Sequence, residues 1–198
     1  MTAYSVFALL NVVDTCALWN LLASPFLYSA ARKAGMSMSS TKFVKYECFD
    51  KPGPNSPEWQ ELRKRLLKCI EAREILFCDI ELEDLQEVAA LEARKAISKG
   101  ELSSIAWAKR TQQIFFSDDK QAKKLAKVAL SESAVQDTPH LCAWLCINDS
   151  IHEHDEHRIR TELQSLKRPL DPHISNAFRA ALEFRLMRDM ARQRSREE

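Results

Sequence analysis

Apolar positions recur at three- and four-residue intervals over most of this chain, the spacing that lays one stripe along a helix. Trp59, Leu62, Leu66 and Ile70 form such a stripe behind Ser56-Pro57, an N-cap followed by proline at the first helical position. The pattern predicts further helices over 83–98, with Lys99-Gly100 as the stop, then over 101–110, 119–130, 141–147, 151–166 and from 173 to about 194. Four short runs do not fit a helix: 6–13, 75–80, 114–116 and, more weakly, 134–136. They are apolar with little alternation, as parallel strands covered on both faces should be. Strands alternating with helices predict an α/β sheet with right-handed crossovers. From Pro139 onward the chain reads as added helices. The proline-rich stretch 51–57 (KPGPNSP) reads as a turn, no Gly/Ser-rich linker divides the chain, and no internal repeat is present, so a single domain over 1–198 is expected.

Composition narrows the class. Of the 198 residues, 45% are hydrophobic and 29% charged, the balance of an ordinary globule. Lys plus Arg number 29 and Asp plus Glu 28, so bulk charge is excluded as a way of holding nucleic acid, and any such contact needs a local patch. The six cysteines (16, 48, 69, 78, 142 and 146) contain no CxxC pair and read as small core residues in a reducing compartment. The apolar run 6–10 lacks a preceding cation and is interrupted by Asn11 and Asp14, which fits neither a signal peptide nor a membrane span. A cytoplasmic protein without membrane contact is expected.

Ligands in open α/β sheets bind beyond the carboxyl ends of strands, so acids at those positions carry the chemistry. Asp14 ends the run FALLNVV, with Thr15 and Cys16 behind it. Glu47 stands in FVKYE, three residues after Val44. Glu101 opens a helix after Gly100, and Asp118 and Asp119 follow the strand IFF with Ser117 before them. Taken singly, Glu101 could be a first-turn acid favoured by the helix dipole, and Asp118 or Asp119 could cap the following helix. Converged, they would raise one another's pKa unless a cation sat among them, and Mg2+ or Mn2+ is the oxygen-loving ion that would relieve this. Such an ion activates water for phosphodiester hydrolysis without a Ser, Cys or His nucleophile.

The segments VVDTCALWNLL, VKYE, GELSSIAWAKR and IFFSDDKQAKKLA, in this order and spacing, resemble the PIN-domain nucleases, which include toxin ribonucleases of bacterial toxin-antitoxin systems. The resemblance covers about 5–138, and TPHLCAWL onward (139–198) is similar to the C-terminal part of one branch of predicted nucleases in that family. It implies a PIN-like three-layer fold, with a small central parallel sheet flanked by helices and additional C-terminal helices. It also implies metal ligands at Asp14, Glu101 and Asp119, with Glu47 as a further acid. Asp118 competes with Asp119, because the family's Ser/Thr-x-Asp pattern matches Ser117-Asp118-Asp119 at its last position. Thr15, Cys16 and Ser117 would support the site; Cys16 stands where the family often has Asn or Ser beside the first acid.

The expected activity is therefore Mg2+- or Mn2+-dependent hydrolysis of RNA, single-stranded RNA being favoured, with an antitoxin or regulatory protein and a homodimer as possible associations. The alternative is a catalytically silent PIN-like module that binds RNA or a partner protein. A phosphatase using Asp14 as nucleophile is disfavoured, since haloacid-dehalogenase enzymes carry a second Asp where this chain has Cys16. Lys120, Lys123 and Lys124, with Lys127, fall on one helix beyond the acids and are candidate nucleic-acid contacts. The cluster 152–157 (HEHDEH) reads as a solvated helical face. In the C-terminal run, Arg185, Arg188 and Arg192 make a basic face, while Phe178, Leu182, Leu186 and Met190 make an apolar stripe suited to the core or a partner helix. Trp19, Trp59, Trp107 and Trp144 are expected in the core.

Overall fold

The computed structural model describes residues 4–51, 55–92 and 97–197, and within the helices the side chains of 89, 91, 92 and 194–197 lie outside the description. The prolines and glycine at 52–54, residues 93–96 of the helix expected over 83–98, and the side chains of Arg194 and Arg196 therefore lie outside the described residues, whereas 97 and 98 are described and are not helical.

Five strands form one all-parallel sheet: β1 (Leu10–Val13), β2 (Ser37–Thr41), β3 (Ile75–Cys78), β4 (Ile114–Phe116) and β5 (Val135–Gln136), in the order β3-β2-β1-β4-β5. Ten α-helices are present among the described residues: α1 (Thr15–Ala23), α2 (Pro25–Lys33), α3 (Lys42–Phe49), α4 (Pro57–Glu71), α5 (Leu82–Glu92), α6 (Lys99–Thr111), α7 (Lys120–Ala129), α8 (Thr138–Ile147), α9 (Asp155–Ser165) and α10 (His173–Glu197).

The strands alternate, but both faces are apolar. Val12 and Phe115 join a core with Leu102, Ile105 and Ala106 of α6 and Leu125 of α7. Val13 and Phe116 turn to the larger core on the opposite face, with Leu18, Trp19, Leu62, Leu66, Leu141 and Phe178. Helices on both faces of a parallel sheet make three layers. That double burial erases the polar/apolar alternation by which half-buried strands are usually read.

Several expectations change. The first strand starts at Leu10, not Val6, and Asn11 Nδ2 donates to the Ala8 carbonyl at 2.8 Å in the preceding turn. The run from Ile75 ends as strand at Cys78. β2 is not among the expected strands, because SMSST lacks an apolar run and carries only one β-branched residue, Thr41. Its buried hydroxyls are satisfied sideways: Ser40 Oγ donates to the Val13 carbonyl at 2.7 Å, and Thr41 and Ser103 share a hydrogen bond of 2.7 Å. Lys99 and Gly100 do not stop a helix; they are the first two residues of α6. Ser98 is the N-cap, its hydroxyl accepting from the Glu101 N–H at 3.2 Å while Glu101 Oε2 accepts from the Ser98 N–H at 2.9 Å, a capping box.

The helical C-terminal part packs against the larger core. α8 is buried along most of its length and meets Ile174, Ala177, Phe178 and Ala181 of α10. Arg185 Nη1 and Arg188 Nη1 each donate at 3.3 Å to the carbonyls of Cys146 and Ile147, placing cations at the carboxyl end of α8 where its dipole favours them. Two arginines of the expected basic face are thus used inside the fold. The expected apolar stripe splits: Phe178 is buried, whereas Leu186 and Met190 are exposed. Trp19 is buried and packs on Trp59, with ring centres 4.9 Å apart; the other three tryptophans are partly buried. All six cysteines are free thiols. No helix among the described residues is long and apolar enough to cross a membrane.

Candidate functional site at the sheet crest

From β1 the chain builds outward through β2 to β3, then crosses back to place β4 on the other side of β1. The crevice beyond the carboxyl ends of β1 and β4 is the topological switch point, where open α/β sheets bind their ligands. The parallel register pairs Val13 with Phe116, which sets the next residues, Asp14 and Ser117, beside each other. Asp14 N–H donates to the Phe116 carbonyl at 3.2 Å, and Ser117 Oγ donates to Asp14 Oδ2 at 2.5 Å.

Asp14 is fully buried. It is the N-cap of α1, Oδ1 accepting from the Ala17 N–H at 2.8 Å. Burial dominates its protonation and pushes its pKa up to about 8; the bonds from Ser117 and Ala17 oppose this, and the charges of Asp118 and Glu101 add to it. Asp14 makes no ion pair among the described residues.

The other acids reach this crest by different routes, and Glu101 does not follow a strand: α6 is entered from α5. Burial, followed among the raising effects by the charges of Asp119 and Glu47, holds its carboxyl above the usual range, against the bonds at Ser98. Asp119 caps α7, Oδ1 accepting from the N–H groups of Gln121 and Ala122, both at 2.8 Å, and its own N–H donates to Ser117 Oγ at 3.1 Å. Ser117 therefore links the first acid to the backbone of the last. Glu47 leans onto the amino end of α6: Oε1 accepts from the Gly100 N–H at 3.2 Å and Oε2 from Thr15 Oγ1 at 2.5 Å.

Asp118 behaves differently from Asp119. Its Oδ1 accepts from the Thr138 N–H at 2.9 Å, and Oδ2 accepts from Thr138 Oγ1 at 2.6 Å and Asn20 Nδ2 at 2.7 Å. It ties β4 to α1 and to the first turn of α8. Burial still raises its pKa, against those bonds.

The supporting contact expected of Cys16 is absent. Its sulfur accepts from Arg168 Nη2 at 3.3 Å, and burial, with the Asp14 charge next, pushes the thiol up to about 12. Ser117 supplies the side-chain bond to Asp14 instead. Arg168 also donates through Nε to Asn20 Oδ1 at 2.8 Å and through Nη2 to the Cys16 carbonyl at 3.1 Å. Arg168, Asn20, Asp118 and Thr138 form a polar chain behind the crest that sequence reasoning missed. Asn20 left a trace, as a polar residue inside the apolar stretch TCALWNLLA. Arg168, between two helices, left none.

Among the described residues no group of three or more His, Cys, Asp or Glu side chains converges closely enough to hold a metal ion. The carboxylates share an electrostatic neighbourhood, but Glu101 and Asp119 each spend one oxygen on a helix end. Glu101 Oε1 and Asp119 Oδ2 keep no hydrogen bond among the described residues. An oxygen-only donor set with an uncompensated buried carboxylate suits a hard divalent cation in its chemistry.

Beside Asp118 runs a groove of about 1380 Å³ lined by Lys120, Lys123, Lys124, Lys127, His140 and His173, among others. Lys123 pairs with Asp137 at 2.6 Å and Lys127 pairs with Glu132. Lys120 and Lys124 make no ion pair among the described residues. Of the HEHDEH cluster, only 155–157 are helical, as the first turn of α9; His154, just before it, lies 3.6 Å from Asp155 and is largely exposed. Compared with known proteins, the chain matches no family model, no curated protein and no solved structure.

Proposed function

We propose that this chain is a PIN-like nuclease that hydrolyses phosphodiester bonds in RNA with the help of Mg2+ or Mn2+. One observation carries the reading: a carboxylate buried with no counter-cation among the described residues, at the switch point of a parallel sheet, among other acids. Structural acids in protein interiors are normally paired. A site prepared for a cation has reason to leave one unpaired.

Asp14, Glu101 and Asp119 would hold the ion. When bound, a divalent cation lowers the pKa of its water and stabilises the leaving oxygen. Ser117 fixes the Asp14 rotamer through its 2.5 Å bond, and Thr15 and Gly100 fix Glu47 at the rim. Lys120 and Lys124 would meet the phosphates of the substrate, offsetting the repulsion between an acidic site and a polyanion. Lys123 is turned toward Asp137 and serves the fold first. The same reading extends to a cytoplasmic protein held in check by an antitoxin or other regulatory protein, and to a homodimer. Exposed Leu186, Met187 and Met190 on α10 offer apolar surface for such association.

The test is cleavage of an end-labelled single-stranded RNA with Mg2+ or Mn2+, comparing the native chain with Asp14→Asn, Glu101→Gln and Asp119→Asn. Loss of cleavage by roughly 10²-fold or more in Asp14→Asn is expected, from the size of electrostatic contributions to catalysis. Absence of metal-dependent cleavage, or an unimpaired Asp14→Asn, would overturn the reading. The second reading, a catalytically silent module, is favoured by the helix-capping duties of Glu101 and Asp119. It predicts RNA or protein binding that Asp14→Asn leaves intact, with no cleavage.

A further inference from the structure

α3 and the start of α6 enclose an open concavity of about 610 Å³, separate from the lysine groove and lined by Phe43, Tyr46, Glu47, Lys51 and Lys99, among others. Its size lies within the roughly 300–1,000 Å³ typical of small-molecule sites. We propose that this concavity binds an unpaired base of a single-stranded RNA, with Tyr46 as the stacking face and Lys51 and Lys99 as contacts to the adjoining phosphates. The inference rests on the reading of the crest as an RNA-cleaving site and names how that site would hold its substrate.

Three features of the local build point this way. First, α3 buries Val44 and Cys48 in the core, so Phe43 and Tyr46, three positions apart, form a second, outward face. The core does not require Tyr46, which is 53% exposed. Second, Lys99 is the first residue of α6, where a cation opposes the helix dipole, so helix stability does not account for it. Lys51 and Lys99 make no ion pair among the described residues, whereas Lys42, the third lysine at the rim, is held by Asp79 at 2.6 Å. Third, Glu47 forms the inner wall with both oxygens already engaged, by Thr15 and by the amide of Gly100. Its charge faces the amino end of α6, which leaves the lysines to set the character of the mouth.

An exposed aromatic ring flanked by uncommitted lysines is the arrangement by which proteins hold single strands, the ring taking a base and the cations the backbone. Glu47 lines this concavity, and its charge acts on the carboxyl of Glu101. A base stacked on Tyr46 would thus present the neighbouring phosphodiester toward the acids. A duplex cannot use such a site without unpairing.

The experiment measures binding of the full-length chain to a labelled 12-nucleotide single-stranded RNA, and to the same sequence as a duplex, by fluorescence anisotropy in EDTA. Tyr46→Ala should weaken the single strand by about 5- to 100-fold, the range of one stacked base. Tyr46→Phe should bind like the native chain, and duplex binding should not change. Lys99→Gln, a surface change, gives an independent measure: the slope of log K against log salt should fall by about 0.7. The proposal is overturned if the native chain binds no single strand, if Tyr46→Ala binds as the native chain does, or if Tyr46→Phe loses as much as Tyr46→Ala. If Tyr46→Ala does not fold, an unchanged salt slope in Lys99→Gln overturns it. Binding that depends on the Tyr46 ring, with no cleavage in any divalent cation, upholds this site while removing the nuclease reading. Cleavage by the native chain with unchanged binding in Tyr46→Ala does the reverse.

Discussion

Asp14 and Asp84 are both buried almost completely, and their surroundings differ in one respect. On the seam between α5 and α6, Asp84 accepts from Arg110 Nε at 3.0 and 3.2 Å and from the Glu81 N–H at 3.1 Å, and the guanidinium itself lies over the Trp107 ring, 4.5 Å from its centre. At the sheet crest, Asp14 has one hydroxyl and one amide donor, no cation among the described residues, and acidic neighbours. At Asp84, where the buried carboxylate ties two helices together, the fold supplies a positive partner. Leaving Asp14 without one costs stability, and that cost is the best physical sign that the crest is kept for something other than packing.

The contrast is sharpest in stability. Asparagine in place of Asp14 keeps an N-cap acceptor for Ala17 and a partner for Ser117 while removing the buried charge. Asp14→Asn should stabilise the metal-free protein by roughly 2–5 kcal/mol at pH 8.5, from the energy equivalent of the pKa displacement. Asp84→Asn should destabilise it by about 1–3 kcal/mol, by leaving Arg110 short of its charged partner. Denaturant unfolding in EDTA measures both, and equal signs would erase the distinction between the two regions.

The pH dependence follows from the same group. Between its ordinary pKa of 3.8 and about 8, folded Asp14 holds a proton that the unfolded chain releases. The native state then binds more protons, so stability falls as pH rises through this window and levels off above it. Below pH 4 both states are protonated and the native chain and Asp14→Asn should coincide. A gap between them that stays constant from pH 4.5 to 9 would contradict the assignment. If Asp14 is also a metal ligand, millimolar Mn2+ at pH 8 should raise the midpoint of the native chain and leave that of Asp14→Asn unmoved.

Asp118 stands between the two cases, with three hydrogen bonds and no ion pair among the described residues. Its replacement by Asn sets an amide donor against the Asn20 amide or the Thr138 N–H, so Asp118→Asn should cost about 1–3 kcal/mol. The loss should be nearly independent of added Mn2+, which separates a latch between β4 and α8 from a ligand. Metal-induced stabilisation that disappears in Asp118→Asn would move the candidate site one residue back along the chain.

Much of this arrangement was legible before any coordinates, and the failures have physical causes. Helices with strong caps, such as Ser56-Pro57 and Asp119, announced their own starts because capping is local chemistry. Asp14 could be singled out because it ends an apolar run. β2 is not legible because it is held by the ladders to β1 and β3 and by hydroxyl bonds to Val13 and Ser103, and a strand held by its neighbours leaves little mark on its own sequence. The link between Cys16, Asn20 and Arg168 spans about 150 positions of chain and obeys no spacing rule. Gly100 has the look of a stop in the sequence, since glycine commonly ends helices. Its reason for being glycine lies 53 residues earlier, in Glu47.

That pairing yields the smallest and most local prediction. A β-carbon on Gly100 would stand 2.3 Å from Glu47 Oε2 and 2.6 Å from its carboxyl carbon, so Gly100→Ala must push the Glu47 carboxylate off the amino end of α6. Two effects then oppose each other. Alanine favours the helix by roughly 0.5–1 kcal/mol over glycine. Loss of the Gly100 and Thr15 bonds to a carboxylate at a helix end removes a comparable amount. The net change in stability should therefore stay within about 1 kcal/mol, because the displaced group is the flexible end of a side chain. Function should not be so indifferent: with Glu47 moved into the concavity between α3 and α6, single-stranded RNA binding should fall by a larger factor than stability does. Gly100→Ala that binds RNA like the native chain would show that Glu47 and its neighbours form a helix end and nothing more, and would return this side of the crest to the company of Asp84.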